Sequence, residues 1–178
     1  MRQLRFLMLL AVAAAASLLT SCGDSEGKAS PVRTYSMGEK VPVGHIVYTL
    51  FETQWLTHIG TGADARVPEH RFFLVRLSAL NSLSTDIVVP NFTLEDDNGA
   101  TYPELSSGEG VPQYIGYLRT VKGTDTVDGN AVFDAPPRHY KMKISDETGD
   151  RSAYIDIPLN FVSETPDVPE VGGKEKKK

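Results

Sequence analysis

From Thr34 to Phe161 apolar and polar residues alternate with a period of two, and this rhythm constrains the fold more than any other feature of the chain. Tyr140, Met142 and Ile144 alternate with Lys141, Lys143 and Ser145. Ala153, Ile155, Ile157, Leu159 and Phe161 alternate with Tyr154, Asp156, Pro158 and Asn160. A strand sends successive side chains to opposite faces, so these segments are half-buried strands with one wet face. Phe72 to Leu80 is nearly solid apolar, as a central strand covered on both sides would be, with Phe73, Val75, Leu77 and Ala79 expected in the core. Further strands are expected at Gly44–Trp55, Phe92–Asp96, Tyr117–Lys122 and Thr126–Asp134. Asp97-Asn98-Gly99 between two of them reads as a hairpin, Asn98 and Gly99 supplying the positive φ pair of a type I′ turn. Asp125–Asn130 and Glu147–Arg151 are turn-rich, and no segment beyond the leader supports a helix longer than about two turns. Several short strands with turns between them predict an all-β, immunoglobulin-like antiparallel sandwich.

The leader is the second constraint. Arg2 and Arg5 precede an apolar run from Phe6 to Leu19 broken only by Ser17. It is shorter than the roughly 20 residues that span a bilayer as a helix and has the layout of a secretory signal over residues 1–21. The run ends in Leu19, Thr20, Ser21 and Cys22, which resembles the lipobox of bacterial lipoproteins. That resemblance implies cleavage before Cys22 and acylation of its sulfur and amine, hence a membrane anchor. Two or more acyl chains hold a protein stably, whereas one does so only marginally. Cys22 is the single cysteine, so no internal disulfide is available and the core must hold the fold unaided. Residues 22–33 read as a flexible tether and residues 163–178, rich in Pro, Gly and charge, as a disordered tail. Residues 34–162 are of ordinary single-domain length.

The chain carries a net charge of −5, and its leader holds two arginines and no acidic residue, so the remainder is more acidic still. That argues against binding a phosphate backbone, and no nucleic-acid partner is expected.

The order of segments resembles a family of bacterial extracellular immunoglobulin-like domains. The match runs through Met37-Gly38-Glu39-Lys40-Val41, then Val43-Gly44-His45-Ile46-Val47-Tyr48, Phe73-Leu74-Val75-Arg76-Leu77 and Asn81. It continues in Val89 to Gly99 and ends in Gly129-Asn130-Ala131-Val132-Phe133-Asp134-Ala135-Pro136. The family is a domain of unknown function with a telokin-like sandwich, related to a mycobacterial immunoprotective antigen, and often sits on secreted or lipid-anchored proteins. Val121-Lys122-Gly123 departs from the Pro-Gly turn of many members. The matched residues are core and turn positions, so the resemblance implies the fold and brings no catalytic or binding residue with it.

Reactive constellations are sparse. There is no G-x-S-x-G, no glycine-rich phosphate loop and no H-E-x-x-H, so neither enzymatic activity nor a cofactor is expected. The weak metal candidates are His58 and His70, bracketing a loop with Asp64 and Glu69 between them. Glu95 to Gly99 clusters oxygen ligands but is too short to wrap a calcium ion, and hairpin is the better account. Pro103 to Gly116 is the longest segment without strand pattern, and Tyr102, Tyr114 and Tyr117 flank or occupy it. Loops on a rigid sandwich commonly carry binding, and tyrosine suits interfaces, so these three are the candidate binding residues. Trp55 near a strand end is expected in the core. The reading is a lipid-anchored cell-envelope module that binds a protein or glycan, on the outer membrane of a Gram-negative source or the outer face of the plasma membrane otherwise. The alternative is an envelope small-ligand or metal-binding protein.

Overall fold

The structure, a computed structural model, describes residues 32–160. The leader, the lipobox Leu19–Cys22, most of the tether, Phe161 and the charged tail lie outside the described residues. The described chain is built from strands β1 (Thr34–Ser36), β2 (Val41–Val43), β3 (Ile46–Leu56), β4 (Phe72–Asn81), β5 (Ile87–Val89), β6 (Thr93–Asp96), β7 (Thr101–Pro103), β8 (Arg119–Val121), β9 (Thr126–Asp134), β10 (Tyr140–Ser145) and β11 (Ser152–Ile157). One sheet has the order β1-β11-β10-β6-β7, the other β2-β3-β4-β9, and β5 pairs with β8 in a separate ribbon. Every pairing is antiparallel except that of β1 with β11.

The two sheets stack over one core. Ile46, Tyr48, Leu50, Phe73, Val75, Leu77, Ala131 and Phe133 face Leu94, Tyr140, Met142, Ile144 and Ile155. Burying each large side chain contributes about 1.5–3 kcal/mol, and with no disulfide this core is the main stabilising term. Consecutive strands cross between sheets: β4 and β9 pair in one, β6 and β10 in the other. That Greek-key exchange makes the sandwich immunoglobulin-like. Tyr140 opens β10 just past such a crossing and donates its hydroxyl hydrogen to the Pro136 carbonyl. This is the tyrosine corner of immunoglobulin-like sandwiches.

β9 occupies the range expected for it, and Phe73, Val75, Leu77 and Ala79 face the core as the alternation required. Trp55 reaches the core as well, stacked on Phe73 with ring centroids 4.0 Å apart. It does so through a bulge. On β3 the inward residues are Ile46, Tyr48 and Leu50; the register then slips at Phe51, and Thr53 and Trp55 take the inward phase. One extra residue in one strand reverses which side its later neighbours face. Phe51 itself is left 54% exposed.

The hairpin at Asp97–Gly99 is present, but not as a type I′ turn. Only Gly99 has positive φ there, at 80°, and Asn98 does not. The Gly99 N–H donates to Asp96 O, and Asp96 N–H to Ala100 O, each at 2.9 Å. This is a three-residue loop, a type I turn followed by a left-handed glycine. The cause is Asp96, whose Oδ1 accepts the N–H groups of Asn98 and Ala100, both at 2.9 Å, and so holds the central residues right-handed.

Candidate functional site

The outer face of β4 and β9 carries Phe72, Leu74 and Val132, a triplet that would be wet on an ordinary sheet. Two loops, residues 57–71 and 105–118, fold over it. Ile59 from the first and Val111 from the second are buried with the triplet, and Leu56, Leu105 and Tyr114 pack around them. This second, smaller core is why β4 is apolar on both faces. Arg66 ties the loops together: its Nη1 donates to Glu109 O at 2.8 Å and its Nη2 to Ser107 O at 3.2 Å, while its guanidinium lies 5.4 Å from the Phe72 ring centroid. Arg66 is itself held by a two-way backbone bridge to Ile59.

The second loop is closed at its neck by a buried ion pair. Glu104 precedes it and Arg119 follows it, with Nη2 and Oε2 2.5 Å apart and side chains 2% or less exposed. A compact loop of this length whose ends meet is an Ω-loop. The Phe92 N–H also donates to Glu104 Oε2, at 3.1 Å, and the Arg119 guanidinium lies 4.4 Å from the Phe92 ring centroid. Burial pushes the Glu104 carboxyl up, and the Arg119 bond opposes that shift without cancelling it. Farther out, Gln113 sits in the left-handed region at φ 47° and accepts a bond from Arg76 Nη1. Tyr114 lies over Gly108, where a Cβ would stand 2.1 Å from the ring, and its hydroxyl donates to Leu105 O at 3.3 Å.

Each of the three candidate tyrosines is half-buried. Tyr102 is half-buried in β7, edge-on to Tyr140 at 5.6 Å between centroids and to His70 at 6.5 Å. Tyr114 is half-buried in the outer core, and burial raises its phenol. Tyr117 is half-buried near the neck. His58 and His70 are separately engaged: His58 Nδ1 lies 3.0 Å from Thr57 Oγ1, whereas His70 Nδ1 lies 3.5 Å from Asp134 Oδ1. Among the described residues no group of three His, Cys, Asp or Glu side chains is placed to hold a metal. The oxygens of the Glu95–Gly99 stretch are likewise dispersed, Glu95 to Tyr154, Asp96 to Arg138 and Asp97 to His139.

What the geometry adds are Val67 and Leu118. Val67 is 77% exposed on the first loop and Leu118 is 86% exposed at the neck of the second. An isolated exposed Val or Leu carries no sequence signal, because only the folded arrangement shows which apolar residues the core has left out. Glu104 and Arg119 were equally hidden, since charged residues at strand ends ordinarily read as solvated.

The sequence matches no family model and no curated protein. Solved structures show the fold. The yjhA protein of Bacillus subtilis superposes with a TM-score of 0.55 at 17% identity, over 69% of this chain and 98% of that one. A functionally unknown protein of Listeria monocytogenes gives 0.50 at 9% identity, over 70% and 84%. A candidate lipoprotein of Bacillus subtilis, ycdA, gives 0.50 at 13% identity, over 70% of this chain and 39% of that one. The chain is thus similar to a set of bacterial β-sandwich proteins, and at these identities the likeness is one of fold.

Proposed function

We propose that this chain is a non-catalytic cell-envelope lipoprotein module, anchored through Cys22, whose two-loop cap binds a protein or glycan partner. The observation that carries the binding reading is the pairing of a rigid platform with exposed apolar side chains. The loops 57–71 and 105–118 are fastened to the sheet by a private core and by Arg66, yet each presents a large apolar residue to solvent, Val67 and Leu118. Preordered loops lose little entropy on binding, and loops on a rigid scaffold are where binding residues concentrate. The anchor reading rests on Leu19-Thr20-Ser21-Cys22. The finer kinship, with the telokin-like extracellular family related to a mycobacterial antigen, rests on the segments from Met37 to Pro136 and accords with an envelope role.

In-cell photocrosslinking tests the surface. Probes at Leu118 and Val67 should yield one shared dominant adduct that a probe at Asp97, in the β6–β7 turn, does not. No shared adduct from the two loops, or the same adduct from Asp97, refutes the loop cap as the binding face. Cys22→Ala should release the chain from membranes; retention would overturn the anchor.

A further inference from the structure

β9 is an edge strand of nine residues, β2-β3-β4-β9 being the order of its sheet. A long edge strand with unpaired N–H and C=O groups is a template for another strand. Here the edge is occupied from within the chain. The N–H of Asn130 donates to Gln113 O at 2.8 Å, the N–H of Ile115 to Asn130 O at 3.1 Å, and the N–H of Leu105 to Val132 O at 2.8 Å. The Asn130 side chain adds a bond from Nδ2 to Pro112 O at 2.7 Å. Contact is close enough to require glycine opposite: a Cβ on Gly129 would stand 2.4 Å from Gln113 O. The loop achieves this fit with Gln113 held at φ 47°, a conformation unfavourable for a residue with a Cβ.

Going beyond partner binding, we infer that loop 105–118 is an edge guard, and that the occupant it excludes from β9 is β9 of a second copy of this chain. Symmetric antiparallel pairing centred on Asn130 is chemically compatible. Asp128 would face Val132 and Asp134 would face Thr126, so no two carboxylates meet. The inward-facing residues between them, Ala131 opposite Gly129 and Phe133 opposite the partly buried Val127, stay on the inner face already used by the core. The groups that Gln113, Ile115 and Leu105 now satisfy are those that such a ladder would use.

Disulfide trapping in intact cells expressing the full chain tests this directly. In the symmetric register two copies of residue 130 stand about 5.5 Å apart at Cα, within the span a disulfide bridges. Asn130→Cys alone, with the loop seated, should remain monomeric on a non-reducing gel, Cys22 being common to every variant. Adding Gln113→Pro, which forbids the positive φ and unseats the loop, should shift the chain to a disulfide-linked dimer. Gly129→Val, which collides with Gln113 O, should do the same by a different route, so a folding defect in one variant does not decide the outcome. Asp128→Cys in the unseated background should dimerise far less, because in this register residue 128 meets 132. Absence of the dimer from both unseated variants overturns the inference. Equal trapping at 128 and 130 also overturns it, by assigning the association to the bared Phe72–Leu74–Val132 face.

Discussion

Glu104 and Arg119 stand at the two ends of one loop and meet in a 2.5 Å ion pair from which water is almost wholly excluded. Both partners were taken out of water to make it, and three of their polar atoms, Glu104 Oε1 and Arg119 Nε and Nη1, find no protein partner. The pair therefore specifies where the loop closes more than it stabilises the fold. Glu104→Gln, which strands a buried guanidinium, should cost about 3–5 kcal/mol, whereas the double replacement Glu104→Leu, Arg119→Met should recover most of that loss. Urea unfolding of the wild type and these two variants decides it. A double variant as unstable as the single one would mean that the ion pair is a net source of stability.

Tyr140→Phe isolates the tyrosine corner. The ring is fully buried and stays packed among Phe73, Trp55 and Tyr102, so only the bond to Pro136 O is lost. A single hydrogen bond of this kind is worth about 1 kcal/mol, and the thermal midpoint should fall accordingly. An unchanged midpoint would show that the corner is geometric and carries no net energy.

Gly108→Ala tests how tightly the loop is folded on itself. Gly108 does not have positive φ, so alanine meets no backbone penalty; it meets the Tyr114 ring. Overpacking should cost about 1–3 kcal/mol. The loss should be local: hydrogen exchange should speed up at Val111, whose N–H bonds to Gly108 O, and stay slow in β4 and β10. Uniform acceleration through the sheets would mean that the loop and sandwich unfold as one unit.

The sandwich was legible because its long strands each carry enough residues to display a period. Thr126–Asp134 and the inner face of β4 are read correctly from alternation alone. β1, β2 and β5, of three residues each, are not among the strands expected, since each shows at most one alternation. The bulge at Phe51 is illegible for a related reason: an inserted residue looks like any other until a partner strand shows the slip. The turn after Asp96 depends on a side-chain bond that competes with the Asn-Gly preference. The site was the least legible part. Pro103 to Gly116 is visible as a long loop, but nothing in its composition says that it lies against a sheet and not in solvent. Tyr114 is consequently half-buried in a core whose trace in the sequence lies elsewhere, in the apolar run Phe72–Leu80 of the strand it covers.

His139 gives the domain a pH dependence of calculable sign. Its Nδ1 faces Asp97 Oδ1 at 2.8 Å and its Nε2 faces Asp156 Oδ1 at 2.9 Å. Only the imidazolium can donate to both carboxylates, and these bonds, the Asp97 one foremost, raise the imidazole above its ordinary 6.5. Lys141 stands opposite Asp156 in the register of β10 and β11, a second cation beside that carboxylate, and Arg138 is committed to Asp96. A group whose pKa is raised by folding contributes stability that is fully present below the unfolded value and is lost as pH rises through the folded one. The carboxylates run the opposite way. His45 holds Glu147 low, and backbone bonds from Arg151 and others hold Asp146 low against the upward pull of burial, so their contributions fade only on acidification. Stability should therefore decline on the alkaline side, from about pH 6.5 upward, as the link between the β6–β7 turn and β11 weakens. His139→Gln, which is neutral at every pH, should remove that decline and leave the acid limb intact. Urea midpoints measured across the range for both proteins provide the test; parallel alkaline limbs would assign the dependence to some other group.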